Sequence, residues 1–172
     1  MDQIVNKVAS SGLVTINLED WYPKAPRMHI DLAERLFMGQ ILREKDLREW
    51  VASHDWTKYQ DAYVSVHCSA DAIIPVWAYM LIASRLALYA KKVVMGHPEA
   101  LETEIYRETI AGIDRETYRD QRVIIKGCGT LPVPDAAYLM LTAHLQPVVK
   151  SIMYGEACST VPVYKAEKGK AL

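Results

Sequence analysis

From residue 62 onward the chain sets short apolar runs against longer apolar or amphipathic stretches. Residues 62–67, 92–96, 122–126 and 148–153 are brief and rich in Val and Ile, and they read as strands. Between them, residues 72–90 are almost unbroken in apolar character. Residues 98–112 open on Pro98 and carry Leu101, Ile105 and Ile110 on one face, and residues 134–145 open on Pro134 and Asp135. Strands alternating with helices of this length mean βαβ units with right-handed crossovers. The pattern predicts an α/β fold: three layers, a mostly parallel sheet and helices on both faces.

The amino-terminal part is less regular. Residues 13–18 alternate like a half-buried strand, 21–26 read as a turn, and 27–30 as a short second strand. Asp31 with Glu34 forms a capping-box pattern, and residues 44–53 form a helix with Leu47, Trp50 and Val51 on one face. A short strand at 161–164 precedes a charged, frayed tail at 166–172. The sequence shows no internal repeat and no low-complexity linker. The expectation is one domain over residues 1–172, with an extension at 1–60 packed on a βαβ core at 61–165.

The stretch at 72–90 is nearly long enough to span a bilayer. Arg85 inside it would cost about 2.5–3.5 kcal/mol near the membrane centre, and strands flank it closely, so it reads as a buried helix. It leaves almost no polar face, and something besides the sheet must cover its outer side. The helices around Leu36 and Trp50 could do so within the chain. A two-fold partner chain could do so instead, and a homodimer is the expectation.

Twenty Lys and Arg against 21 Asp and Glu leave a net charge of -1, so no strong field points to nucleic acid or an anionic membrane. The 3 cysteines and the absence of a signal-like start argue against a disulfide framework and for a reducing cytoplasm.

The chemistry concentrates where the strands end. The first strand of the core ends in His67 and Cys68, the second in Gly96 and His97, the third in Gly127, Cys128 and Gly129, and the fourth leads through Gly155 to Cys158. In a parallel sheet these points share one edge, where ligands bind. Thiolate and imidazole are ligands for zinc or iron, and a helix amino end lowers a thiol pKa. Cys68, Cys128, Cys158 and His67 are therefore the candidate metal ligands. Against this, cysteine also serves as a small core hydrophobe, and no CxxC pair gives a local metal signature. Gly127 and Gly129 read as tight-turn glycines, with a backbone nest for an anion as the alternative.

Several stretches resemble one known family. They are Ile4 to Val8 with Leu18 to Asp20, His67 to Pro75 with Trp77 to Tyr79, Lys126 to Cys128 with Leu131 to Pro134, and Gln146 to Glu156 with Cys158 to Thr160. Together they cover nearly the whole chain, and they are similar to the bacterial proteins catalogued as domain of unknown function 2480. The resemblance implies genes lying near sulfur-mobilisation-type iron–sulfur assembly genes, and hence an accessory role in iron–sulfur biogenesis with the assembly proteins as partners.

Three readings follow. One is a metal- or iron–sulfur-handling accessory protein, with zinc or iron held by Cys68, Cys128, Cys158 and His67. Another is a cysteine enzyme with Cys128 as nucleophile and His67 as base. The third is a binding or scaffolding protein whose cysteines are structural.

Overall fold

The computed structural model describes residues 13–127, 129–156 and 159–167. Among these described residues seven strands and four α-helices follow in the order β1 (Leu13–Ile16), β2 (Arg27–Asp31), α1 (Glu44–Ser53), β3 (Tyr63–His67), α2 (Val76–Leu86), β4 (Lys92–Met95), α3 (Pro98–Ala111), β5 (Arg122–Ile125), α4 (Asp135–Leu145), β6 (Ser151–Glu156) and β7 (Ser159–Lys165). The α/β class stands, with mostly parallel pairing. The strands are divided between two sheets, however, ordered β1-β5-β6-β7 and β2-β3-β4. All neighbours are parallel except β6 and β7, which form an antiparallel hairpin.

The chain divides accordingly into two compact units. Unit 1 comprises residues 1–22 and 105–172, and unit 2 comprises residues 23–104, so unit 2 is an insertion within unit 1. The stretch expected as an amino-terminal extension contributes β1 to unit 1, and β2 and α1 to unit 2. Each unit has its own core. In unit 1, Ile16, Leu18, Tyr106, Ile110, Val123, Ile125, Leu141, Leu145 and Ile152 pack together. In unit 2, Ile30, Leu32, Leu47, Val51, Val64, Val66, Ile82 and Leu86 do so.

Position by position the lists correspond, with Ile152 answering to the half-buried Val93. The expectation of no internal repeat is overturned by the backbone. From α1 to the end of β4 in unit 2, each feature recurs in unit 1 at one constant offset. Asp61 and Asp120 both take the left-handed conformation, at φ 56 and 60. Asp61 N donates to Tyr89 O at 2.9 Å and Asp120 N to Val148 O at 2.8 Å. Lys91 N donates to Ala62 O at 2.9 Å, as Lys150 N does to Gln121 O at 2.8 Å. Asp55 accepts from Thr57 N, and Asp114 from Glu116 N, each at 3.0 Å and each opening a 3₁₀ turn. A proline stands at the N-cap of both α2 and α4. Gly96 and Gly155, at φ 141 and 121, close the two copies.

The first strands match as well. Asn17 accepts from Glu19 N after β1, as Asp31 does from Ala33 N after β2, each capping a 3₁₀ turn. Leu13 sits beside Arg122 as Arg27 sits beside Tyr63. β7 is what unit 1 adds.

Ala72–Ala90 was expected as one helix, and α2 is shorter because Pro75 sets its start and the 3₁₀-like turn after Leu86 its end. No helix among the described residues is long and apolar enough to cross a membrane.

Candidate functional site

The carboxyl edge of unit 2 gathers Asp31, His67, Cys68 and His97. Asp31 ends β2, pairs in register with His67 at the end of β3, and holds two amides through one oxygen. Oδ1 accepts from Ala33 N at 2.9 Å and from Ser69 N at 3.0 Å. Burial pushes the Asp31 carboxyl pKa up, but the bonds from Ser69 and Ala33 outweigh it and hold the group below its ordinary value. Its Oδ2 lies 3.8 Å from His67 Nε2. The His67 ring is 12% exposed, packs on the His97 ring at 4.5 Å between centroids, and leaves Nδ1 buried without a hydrogen-bond partner among the described residues. Cys68 is partly buried and its thiol donates to Ala70 O at 3.6 Å. Tyr79 on α2 has its phenol pKa raised, first by burial and then by negative charge at Cys68 and Asp31.

The equivalent edge of unit 1 is built differently. Asn17, Lys126 and Glu156 stand where unit 2 has Asp31, His67 and His97. Lys126 Nζ lies 3.8 Å from Glu156 Oε1, so an ion pair replaces the tilted imidazole pair. The loop after β5 is tied on both sides of position 128. Tyr154 OH donates to Gly127 O at 3.2 Å, and the Glu19 carboxylate accepts from Thr130 N and Leu131 N. Those amide bonds, the Leu131 one foremost, hold the Glu19 pKa below the usual carboxylate range.

The glycines of this loop have a definite reason. A Cβ on Gly127 would strike the Tyr154 ring, and one on Gly129 would strike the Glu19 carboxylate. Close approach of the Tyr154 ring, not a left-handed backbone, favours glycine at 127, whereas at 129 the flexible Glu19 carboxylate would have to move aside. The amides of Thr130 and Leu131 that an anion nest would offer are already taken by Glu19.

Of the four metal-ligand candidates, His67 and Cys68 lie at the edge of unit 2, whereas Cys128 and Cys158 lie outside the described residues. The pairing of Cys128 with His67 as base joins residues of different units. Among the described residues, no group of three His, Cys, Asp or Glu side chains is arranged to hold a metal ion. The sequence placed His97 at a strand end without counting it among the metal-ligand candidates, and read Asp31 only as a cap. Strand order is what brings them together: Asp31 and His67 close the paired strands β2 and β3, and His97 follows the neighbouring β4.

A family model described as protein of unknown function (DUF2480) matches residues 2–166. The chain belongs to that family. No curated protein and no solved structure matches it. Membership in the DUF2480 family thus fixes the kinship of the whole described fold, both units included, while the family's name assigns no activity to either edge.

Proposed function

We propose that the chain is a metal- or iron–sulfur-handling accessory protein, with thiols presented from the carboxyl edges of its sheets. The observation that supports this best is the Lys126–Glu156 contact at 3.8 Å. It brings together the ends of two adjacent parallel strands, and each of those ends leads into a cysteine: Cys128 beyond Gly127, and Cys158 beyond Ala157. The flanks of Cys128 are anchored by Tyr154 and Glu19, which suits a ligand loop, since fixed flanks reduce the ordering cost of coordination. Zinc and iron fit thiolate donors, and an iron–sulfur cluster does so equally. Unit 2 would contribute Cys68 and His67 as a second, imidazole-containing place.

The same reading carries iron–sulfur assembly proteins as partners, a cytoplasmic setting and a homodimer. The last rests on the outer side of α2 and its approach, where Ile73, Val76 and Met80 are 94%, 67% and 65% exposed.

The test is elemental analysis of protein prepared anaerobically under reducing conditions, before and after reconstitution. About one equivalent of zinc or iron is expected, falling below about a tenth in Cys128→Ser with Cys158→Ser. A wild-type protein that never exceeds about a tenth of an equivalent refutes the reading.

A further inference from the structure

The opposite end of unit 1's sheet, where β5 and β6 begin, carries a cluster that the thiols do not use. Arg122, Ser151 and Lys165 are register partners across β5, β6 and β7. They form one row and share one face of the sheet. Neighbouring strands lie about 4.8 Å apart, so the two cations flank Ser151 across about 10 Å, a span their flexible side chains can close around an anion. Lys150 immediately precedes Ser151. These four line a recess of about 650 Å³ with Ala166 and Glu167, the latter an acidic group on its rim.

The repeat supplies an internal comparison. At the equivalent positions unit 2 has Tyr63, Lys91 and Lys92, with Arg27 alongside on β2, and there Lys92 and Arg27 are each paired with a carboxylate. Lys92 Nζ lies 3.7 Å from Glu104 Oε1, and Arg27 Nε lies 2.8 Å from Glu102 Oε1. Arg27 and Lys91 also stand over the Tyr63 ring, at 5.3 and 5.2 Å from its centroid. In unit 1, Arg122, Lys150 and Lys165 have no ion pair with any described residue. Three exposed cations lining one recess repel one another, and no carboxylate among the described residues forms an ion pair with any of them.

We propose that this recess binds an anion, and that its ligand is a small phosphate-bearing molecule. Three cations and one rim carboxylate leave a double positive charge, which matches a dianionic phosphate better than a single carboxylate. The Arg122 guanidinium offers a planar fork to two phosphate oxygens, Lys150 and Lys165 act as point charges, and the Ser151 hydroxyl can donate between them. The volume is larger than a lone phosphate needs and falls within the range of about 300–1,000 Å³ usual for ligand pockets. The proposal does not depend on the thiol reading, because the two sites occupy opposite ends of the same strands.

Titration calorimetry on the full chain at about 50 mM ionic strength tests it, with inorganic phosphate, pyrophosphate and citrate as separate probes. Pyrophosphate is expected to bind saturably and more tightly than phosphate or citrate. The Arg122→Gln, Lys165→Gln double variant should weaken it about tenfold or more, and Lys150→Gln alone about threefold, which keeps a readout if the double variant misfolds. Arg85→Gln, a charge loss on α2, should leave it unchanged. Three results would each overturn the proposal: no saturable pyrophosphate binding below about 10 mM, equal weakening by Arg85→Gln, or citrate as the tightest of the three.

Discussion

Replacing Asp31 by Ala removes two supports at once. The side chain caps the 3₁₀ turn after β2 through Ala33 N at 2.9 Å, and it tethers the loop bearing Cys68 through Ser69 N at 3.0 Å. Loss of a cap costs about 1 kcal/mol. A hydrogen bond to a charged group contributes about 1.5–3 kcal/mol when buried, but the Asp31 side chain is 26% exposed and water replaces part of it, so about 1 kcal/mol more is a fair figure. The expected loss is about 2 kcal/mol at pH 7, read by urea denaturation with an unchanged slope. Asp31→Asn keeps an acceptor and should lose about half as much. The pH dependence follows from the lowered pKa. A carboxyl held below its unfolded value stabilises fully above that value, and the contribution fades as pH falls through the folded pKa. The gap between wild type and Asp31→Ala should therefore be constant from pH 7 to about pH 5 and shrink below about pH 4. The Cys68 thiol should also alkylate faster in the variant, since its loop is no longer tied. A loss under about 0.5 kcal/mol at pH 7, or one undiminished at pH 3, would refute the reasoning.

Two further outcomes concern the helices. Leu141 and its counterpart Ile82 are wholly buried, so substituting either by Ala should cost about 2–5 kcal/mol in urea denaturation, whereas Leu139→Ala, 71% exposed on the same helix as Leu141, should stay within about 0.5 kcal/mol. Sedimentation near micromolar concentration should show a dimer that Met80→Glu converts to monomer; a monomeric wild type would remove α2 from any self-association.

The sequence made the βαβ alternation legible because it is carried by period and by punctuation. Pro98, Pro134 and the short β-branched runs fall where helices and strands begin. Identical residues do recur at the constant offset, among them Asp61 and Asp120, Pro75 and Pro134, and Gly96 and Gly155. They are scattered among positions that keep only burial or exposure, where Leu47 answers to Tyr106, Ser65 to Ile124 and His67 to Lys126. The repeat becomes plain only when the backbone sets them side by side. Tyr106 even adds a hydroxyl that donates to Leu18 O at 2.9 Å, a bond that Leu47 cannot make. Nor could the strand order be read. β1 pairs with β5 across the whole of unit 2, and hydrophobic periodicity is blind to partners so distant in the chain. For the site, a single sheet edge was assumed, whereas the strand carrying His67 and Cys68 at its end belongs to one sheet and the strands leading to Cys128 and Cys158 belong to another.

The nested arrangement of the units has a consequence for how the chain is made. Synthesis proceeds from the amino terminus, so β1 leaves the ribosome first, yet its sheet neighbour β5 comes after all three strands of unit 2. Unit 2 is contiguous and acquires every strand of its sheet while β1 still has none to pair with. Pairing β1 with β5 through an unfolded insertion would close a long flexible loop, but a folded insertion holds its chain compact and shortens the free segment to be closed. The order of synthesis therefore favours unit 2 as the early-folding piece, with the hairpin of β6 and β7, the last strands to emerge, completing unit 1.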